Sequence, residues 1–549
     1  MPPDETEQQK READNSALLS AIHTHDTAAT LHLLQNGAYP DGNRDSCSPS
    51  PLSEAILSKQ VEIVRSFVDH GVYPRICELG STELHHAAST GDVSNPSYDS
   101  SPAHYAAARG HLECLKLLGR FDAESEDGVP DVDAKDGLGW TLLHTACAGA
   151  LSSVGPELVS NVDSDSNSQL QSRWQGAVEV VRYLCAKGAD VTALSTTAKE
   201  TPLYLAACAG NIGVIRELLR YSISSSSDEA KSSIANILTQ RNRFGETALH
   251  AAAYHCPLSA LEMLVDAGGD IHARSYSNAT VVHRAAEAGR VDSVRWILNH
   301  GSLTVDEKGS HGWTPLHYAV NANRVEMVKF LLESKADVHA VSNPGNHTPL
   351  HRTASYHIAD GEEDLSLQNN GQDDPTVMRL LIEHGANIHA LADSTTLVGD
   401  WARGEALHEW TYGQPSQEDS DPDPESFHED VYPLHCAVAS NNINLAKLLL
   451  GSGADINART TEAGSTALHL ASVEYTGEML VFLIENGADW KIEDYHGRKM
   501  VHFLLYECRR EPERVKKFFV EQGLYEAEME AELNAVWPAC RLVKGVSGV

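Results

Sequence analysis

Apolar residues along this chain mark short helices that come in pairs. Val325, Val328, Leu331 and Leu332 recur at helical spacing within 324–332 and give that stretch one apolar stripe. Just before it, Thr314-Pro315-Leu316-His317-Tyr318-Ala319 opens another helix. Threonine can take an orphan backbone N–H at the helix start, and proline suits the first turn, where its missing donor costs nothing. Leu316 points inward. The phrase stands again 34 residues away on both sides, as Thr280-Val281-Val282-His283-Arg284-Ala285-Ala286 and as Thr348-Pro349-Leu350-His351. The paired alanines let adjacent helices approach closely. Glycine follows the second helix at positions 37, 71, 188, 268, 301, 385, 453 and 487, where a left-handed residue stops a helix. Lys335 takes that place in one copy and predicts a weaker stop.

Copies of the phrase begin near Ser16, Ser50, Thr82 or Ser101, Thr141, Thr201, Thr247, Thr280, Thr314, Thr348, Tyr432, Thr466 and Lys499. Phrase, period and helix-stop glycine together resemble the ankyrin-repeat family over almost the whole chain. The resemblance implies an all-α solenoid of about 11–13 units, some degenerate, each a hairpin finger followed by two antiparallel helices. It divides the chain into a polar tail over 1–15, repeats over 16–358 with insertions at 151–175 and 221–235, an interrupted acidic region over 359–431, repeats over 432–510, and a helical cap over 511–549.

The departures from even spacing carry expectations of their own. Thr82 lies only 19 residues before Ser101, which predicts a truncated unit at Thr82. Thr141 and Thr201 are 60 residues apart, the excess being a Ser-, Asp- and Asn-rich loop before a helix over 177–186. Thr348 and Tyr432 are 84 apart, with one helix over 376–384, two acidic insertions at 360–374 and 418–430, and a worn copy at Glu405-Ala406-Leu407-His408-Glu409-Trp410. A break into sub-stacks, about 1–358 and 376–549, is the expectation there.

Composition narrows the chemistry. The chain has 549 residues and a formal net charge of −35, so it repels phosphate backbones; nucleic acid is excluded as a general partner and a protein with a basic surface is favoured. No stretch approaches the roughly 20 apolar residues that cross a bilayer, so membrane insertion is not expected. Ten cysteines without a C-x-x-C pair read as buried hydrophobes in a reducing compartment, cytoplasm or nucleus.

Of 28 histidines, ten occupy the fourth position of the phrase: His85, His104, His144, His250, His283, His317, His351, His435, His469 and His502. The resemblance implies a structural role for them, bonding neighbouring hairpins. The others lack zinc-site spacing, and no nucleophile elbow, phosphate loop or kinase signature occurs. No enzyme activity, cofactor or metal is expected. Asn457 reads as a turn residue, and Arg509, Arg510, Arg514, Lys516 and Lys517 as cations balancing an acidic last helix.

The resemblance also implies where a protein partner lies: along the concave face made by hairpin tips and first helices. Carried over residue by residue, the contact positions flank the glycine before the phrase. They are Trp140, Phe244, Glu246, His311, Trp313, His347, Tyr495 and Arg498, with His496 beside them. Trp140 and Trp313 lead, because large aromatics on exposed hairpins carry much binding energy. The function implied is a protein-interaction scaffold or adaptor. The alternatives are a regulatory or substrate-recruiting subunit of an enzyme complex, and an enzyme with a cleft near 359–431.

Overall fold

The computed structural model describes residues 16–36, 58–69, 102–118, 132–149, 164–224, 235–354 apart from 344, 375–393, 430–473 and 477–507, with a few isolated positions besides. The chain is an all-α repeat protein that divides into two compact units, Met1–Ala285 with Asp292–Ser302, and Ala286–Val291 with Leu303–Val549. The division falls inside the evenly spaced run of phrases rather than at the acidic interruption.

In the first unit, the phrase helices Pro102–Ala108, Leu142–Ala148, Pro202–Cys208 and Ala248–His255 pack one on the next. In the second, Pro315–Asn321, Pro349–Ala354, Pro433–Ala439, Ala467–Val473 and Met500–Glu507 do the same. Small buried residues permit it: Ala106, Ala107, Ala206, Ala207, Ala252, Ala319, Ala437 and Ala471 are wholly buried. The leucine of each phrase, such as Leu203, Leu316, Leu350 or Leu468, fills the space between helices and is almost fully enclosed. Each such burial is worth about 1.5–3 kcal/mol.

Second helices close each repeat from behind. Helix Val325–Glu333 buries Met327, Val328, Leu331 and Leu332. Just past its C-cap Ser334, Lys335 adopts the left-handed conformation at φ +64°, where Gly188, Gly268, Gly385, Gly453 and Gly487 stand in other copies. Gly301 differs and is not left-handed.

Two expectations about the departures change. The segment before residue 177 is not all loop: one helix runs through Ser164–Ala186. Residues 164–175 hold neither proline nor glycine, so nothing local stops the helix from extending backward. At Gly176 it passes so close to Gly110 that an added Cβ would lie 2.5 Å from the Gly110 carbonyl oxygen.

The acidic interruption does not part the stack. Helix Pro349–Ala354 packs on Pro433–Ala439, and the Ser440 hydroxyl donates to the Ala354 carbonyl at 2.8 Å. Helix Thr376–Glu383 completes the repeat begun at Thr348. Strands Ala392–Asp393 and Asp430–Val431 pair antiparallel and rejoin the finger across the second insertion. The truncated copy at Thr82, the worn copy at Glu405, most of both acidic insertions and most of the terminal cap lie outside the described residues. Among the described residues, no helix is long and apolar enough to cross a membrane.

Candidate partner-binding fingers

Each finger is a hairpin whose register is set by the residue two before the phrase. That residue is left-handed in nearly every described copy: Gly139, Lys199, Gly245, Asn278, Gly312, Asn346, Gly464 and Gly497, with φ between +53° and +78°. At Gly245 and Gly464 glycine is also needed for space. An added Cβ would strike the ring of Tyr276 at 2.7 Å and that of Tyr495 at 2.8 Å. A polar residue at the base holds the loop. Asp136 Oδ1 accepts from the N–H groups of Leu138 and Trp140, Asn242 Oδ1 from Phe244 and Glu246, and Asp494 Oδ1 from His496 and Arg498.

Neighbouring fingertips are tied through their backbones. In the first unit, Thr196 N–H donates to Leu138 O at 3.0 Å, Arg243 to Ala198 O at 2.8 Å and Tyr276 to Phe244 O at 2.9 Å. In the second, Asn343 donates to His311 O, Asp393 to Gly345 O and Tyr495 to Ala463 O, at 2.6–2.9 Å. Within each unit the tips are therefore tied to one another rather than being separate loops.

The phrase histidines tie the fingers a second time, lower down. His317 Nδ1 accepts the Thr314 N–H at 3.2 Å, and its Nε2 donates to His347 O at 3.2 Å. His104, His144, His250 and His469 reach the carbonyls of Trp140, Glu200, Ala279 and Arg498 in the same way, at 3.1–3.2 Å. This pattern assigns the neutral tautomer with the proton on Nε2. Burial holds the rings of His144, His317, His351, His435 and His469 at a pKa of about 4. His144, His317 and His469 use both ring nitrogens in this way and so act as neutral links between repeats. At Thr201 the phrase carries Tyr204 instead, and its hydroxyl donates to Glu246 Oε2 of the next finger at 3.0 Å.

Those ties decide where each anticipated contact residue sits. Trp140, Glu246, Trp313, His347 and Arg498 all immediately precede the phrase, where the chain turns under the finger. Glu246, His347 and Arg498 are buried. Glu246 is ion-paired with Arg284 Nε at 2.7 Å, His347 donates through Nε2 to Asp393 O at 2.7 Å, and Arg498 pairs with Asp494 at 2.7 Å. These three act within the stack. Trp140 and Trp313 are half-buried. Trp313 meets Tyr318 edge-on at 5.3 Å and carries the Arg352 guanidinium 4.7 Å above its ring. Asn457 bridges too: its side-chain oxygen accepts the Asp489 N–H at 2.9 Å.

The outermost positions, three or four before the phrase, are the exposed ones. Phe244 is 50% exposed and Tyr495 59%, while His311 and His496 also face solvent. Tyr276, at 73%, is the most exposed large apolar side chain among the described residues. The phrase flanks did not single it out because its finger turns on Asn278 rather than on a glycine.

The described residues contain no group of histidines, cysteines and carboxylates able to hold a metal ion. Burial pushes the thiol of Cys114 up to about 11 and that of Cys185 to about 12, so both stay protonated and unreactive at neutral pH.

Comparison with known proteins meets the same architecture. The pattern described as "Ankyrin repeats (3 copies)" matches residues 169–275, 270–342 and 341–494. The chain is 30% identical to NF-kappa-B inhibitor zeta of Mus musculus over 209 residues, covering 37% of this chain and 27% of that protein. It is 28% identical to neurogenic locus notch homolog protein 2 of Homo sapiens over 182 residues, 31% of this chain and 7% of that one. It is 23% identical to the E3 ubiquitin-protein ligase KEG of Arabidopsis thaliana over 374 residues, 67% of this chain and 19% of the ligase. In each case the match spans little more than a quarter of the relative, or less.

Proposed function

The chain belongs to the ankyrin-repeat family, a protein-interaction fold, and from that premise we propose that it is a scaffold or adaptor without catalysis of its own. A partner protein docks along the fingertips and first helices. The observation that carries this reading is the row of tied tips within each unit, which leaves Phe244 and Tyr276 exposed on the first unit and His311 and Tyr495 on the second, on fingers fixed by backbone bonds. Rigid exposed aromatics give contact area at little cost in side-chain ordering. Trp140 and Trp313 serve as half-buried shoulders beside them.

A partner with a basic surface suits the net charge of −35 at long range, and the cytoplasm or nucleus suits the buried thiols. The absence of catalysis is supported by what the tempting groups do instead: the phrase histidines are spent as neutral ties. The likeness to an E3 ubiquitin-protein ligase supports a second reading, in which these repeats recruit a substrate to a catalytic centre on another domain or chain.

The test is affinity capture by the full chain, compared with a triple variant Phe244→Ala, His311→Ala, Tyr495→Ala and with an outer-helix control, Lys329→Ala. Co-purifying proteins should be lost from the triple variant and kept by the control. Equal capture by all three would overturn the finger-mediated reading.

A further inference from the structure

Three consecutive fingers of the first unit reverse the sign of this acidic chain. Lys199 stands at the tip of the first, Arg241 and Arg243 on the second, and Arg274 on the third. Lys199, Arg241 and Arg243 are exposed, and Arg274 is half-exposed. The tips are fixed together: Arg243 N–H donates to Ala198 O at 2.8 Å, and Arg241 Nη1 donates to Arg274 O. Of the nearby acids, Asp190 and Asp270 are exposed where two of the hairpins begin, bonded to the Thr192 and His272 N–H groups, and the two next to the phrases are covered. Glu246 is buried against Arg284 and Tyr204, and Glu200 is half-buried beneath Arg243. The two most exposed aromatics of this unit lie among these cations, Phe244 with the Arg243 guanidinium 4.6 Å above its ring, and Tyr276 on the next tip. Fingers elsewhere do not share this charge. The finger before them carries Asp133, Lys135 and Asp136, and those of the second unit include Asp306-Glu307-Lys308, Glu462 and Glu493-Asp494.

We infer that fingers 195–200, 241–246 and 274–279 are the docking site for an acidic, aromatic- or leucine-containing linear segment of a partner protein. The inference deepens the scaffold reading and rests on it, and at these three fingers it puts an acidic segment in place of the basic surface that the net charge alone suggests. Carboxylates suit the arginines because a guanidinium meets them with paired N–H donors in fixed geometry. Phe244 and Tyr276 offer faces on which apolar side chains of the same segment lie. A short segment crossing three fingers stays within the local positive field. A nucleic acid would meet the same cations and rings, but its long polyanionic backbone would also meet the field of a chain at −35, and is disfavoured.

The test uses the full chain and fluorescence anisotropy with three labelled probes: a short peptide of glutamates and tyrosines, its lysine–tyrosine counterpart, and oligothymidine. The glutamate peptide should bind, and its affinity should fall as sodium chloride is raised. The double variant Lys199→Glu, Arg243→Glu should weaken it by at least about tenfold. The pair Phe244→Ala, Tyr276→Ala should weaken it without changing the salt dependence. Equal or tighter binding of the lysine peptide, preference for oligothymidine, or salt-independent affinity of the unaltered chain would each overturn the inference. The salt series stands even where a variant fails to fold. Loss of peptide binding while protein capture still depends on the tips would remove this inference and leave the scaffold reading; loss of both would remove both.

Discussion

The repeat pair at Tyr432 and Thr466 is evenly spaced, while the pair at Thr348 and Tyr432 is separated by two acidic insertions, yet both build the same junction. Pro433–Ala439 packs on Ala467–Val473 just as Pro349–Ala354 packs on Pro433–Ala439. His351, His435 and His469 are all buried and held at a pKa of about 4. What specifies a junction is therefore the phrase itself: the capped helix start, the inward leucine and the neutral histidine. The distance along the chain between two phrases matters little, because closing a longer loop costs only about 0.6 kcal/mol for each doubling of its length.

The strongest attack on that equivalence is through the core. Leu350→Ala, beside the interruption, and Leu468→Ala, in the even region, should each destabilise by about 2–5 kcal/mol in denaturant unfolding. A much smaller loss for Leu350→Ala would mean the interrupted junction is loosely formed. Acid comes next. The histidines titrate near 6.5 in the unfolded chain and near 4 in the fold, so between those values the unfolded chain takes up protons that the fold refuses. Their contribution is fully present above about pH 6.5 and is lost as pH falls toward 4, by about 1.4 kcal/mol per pH unit for each ring. His351→Gln and His469→Gln should flatten the pH dependence of the unfolding midpoint equally; an effect from His469 alone would break the comparison. The mildest test is excision. Asp393 and Asp430 face each other across the two strands, so replacing 394–429 by Asn-Gly should close a two-residue hairpin. With about four doublings of loop length removed, the variant should gain roughly 2 kcal/mol in a thermal melt. Loss of cooperative unfolding would show that the insertion is part of the fold.

The repeat architecture was legible in the sequence because every element of the phrase has a local cause: a cap, a first-turn proline, a small-residue contact, a left-handed stop. The interruption misled because spacing was read as separation, whereas the strand pair 392–393 with 430–431 leaves no trace in a pattern of apolar positions. Helix Ser164–Ala186 was missed in its first half because its polar residues look like loop, and nothing in them forbids a helix. The candidate site was half legible. Flanking a glycine marks a finger, but it does not separate the residue under the finger, such as Glu246 or Arg498, from the one on top, such as Phe244 or Tyr495. That distinction comes from the bond between each histidine and the carbonyl before the next phrase, which appears only once two repeats are stacked.

That same bond sets an order for the birth of the molecule. His317 reaches a carbonyl 30 residues ahead and His469 one 29 ahead, so each link can close as soon as one further repeat has left the ribosome. The longer links are that of His144, 56 residues to Glu200, and that of Ser440, which reaches back 86 residues to Ala354. A nascent chain can thus settle finger by finger along most of its length. It must hold one exposed helix face open, through the synthesis of both acidic insertions, before it can resume.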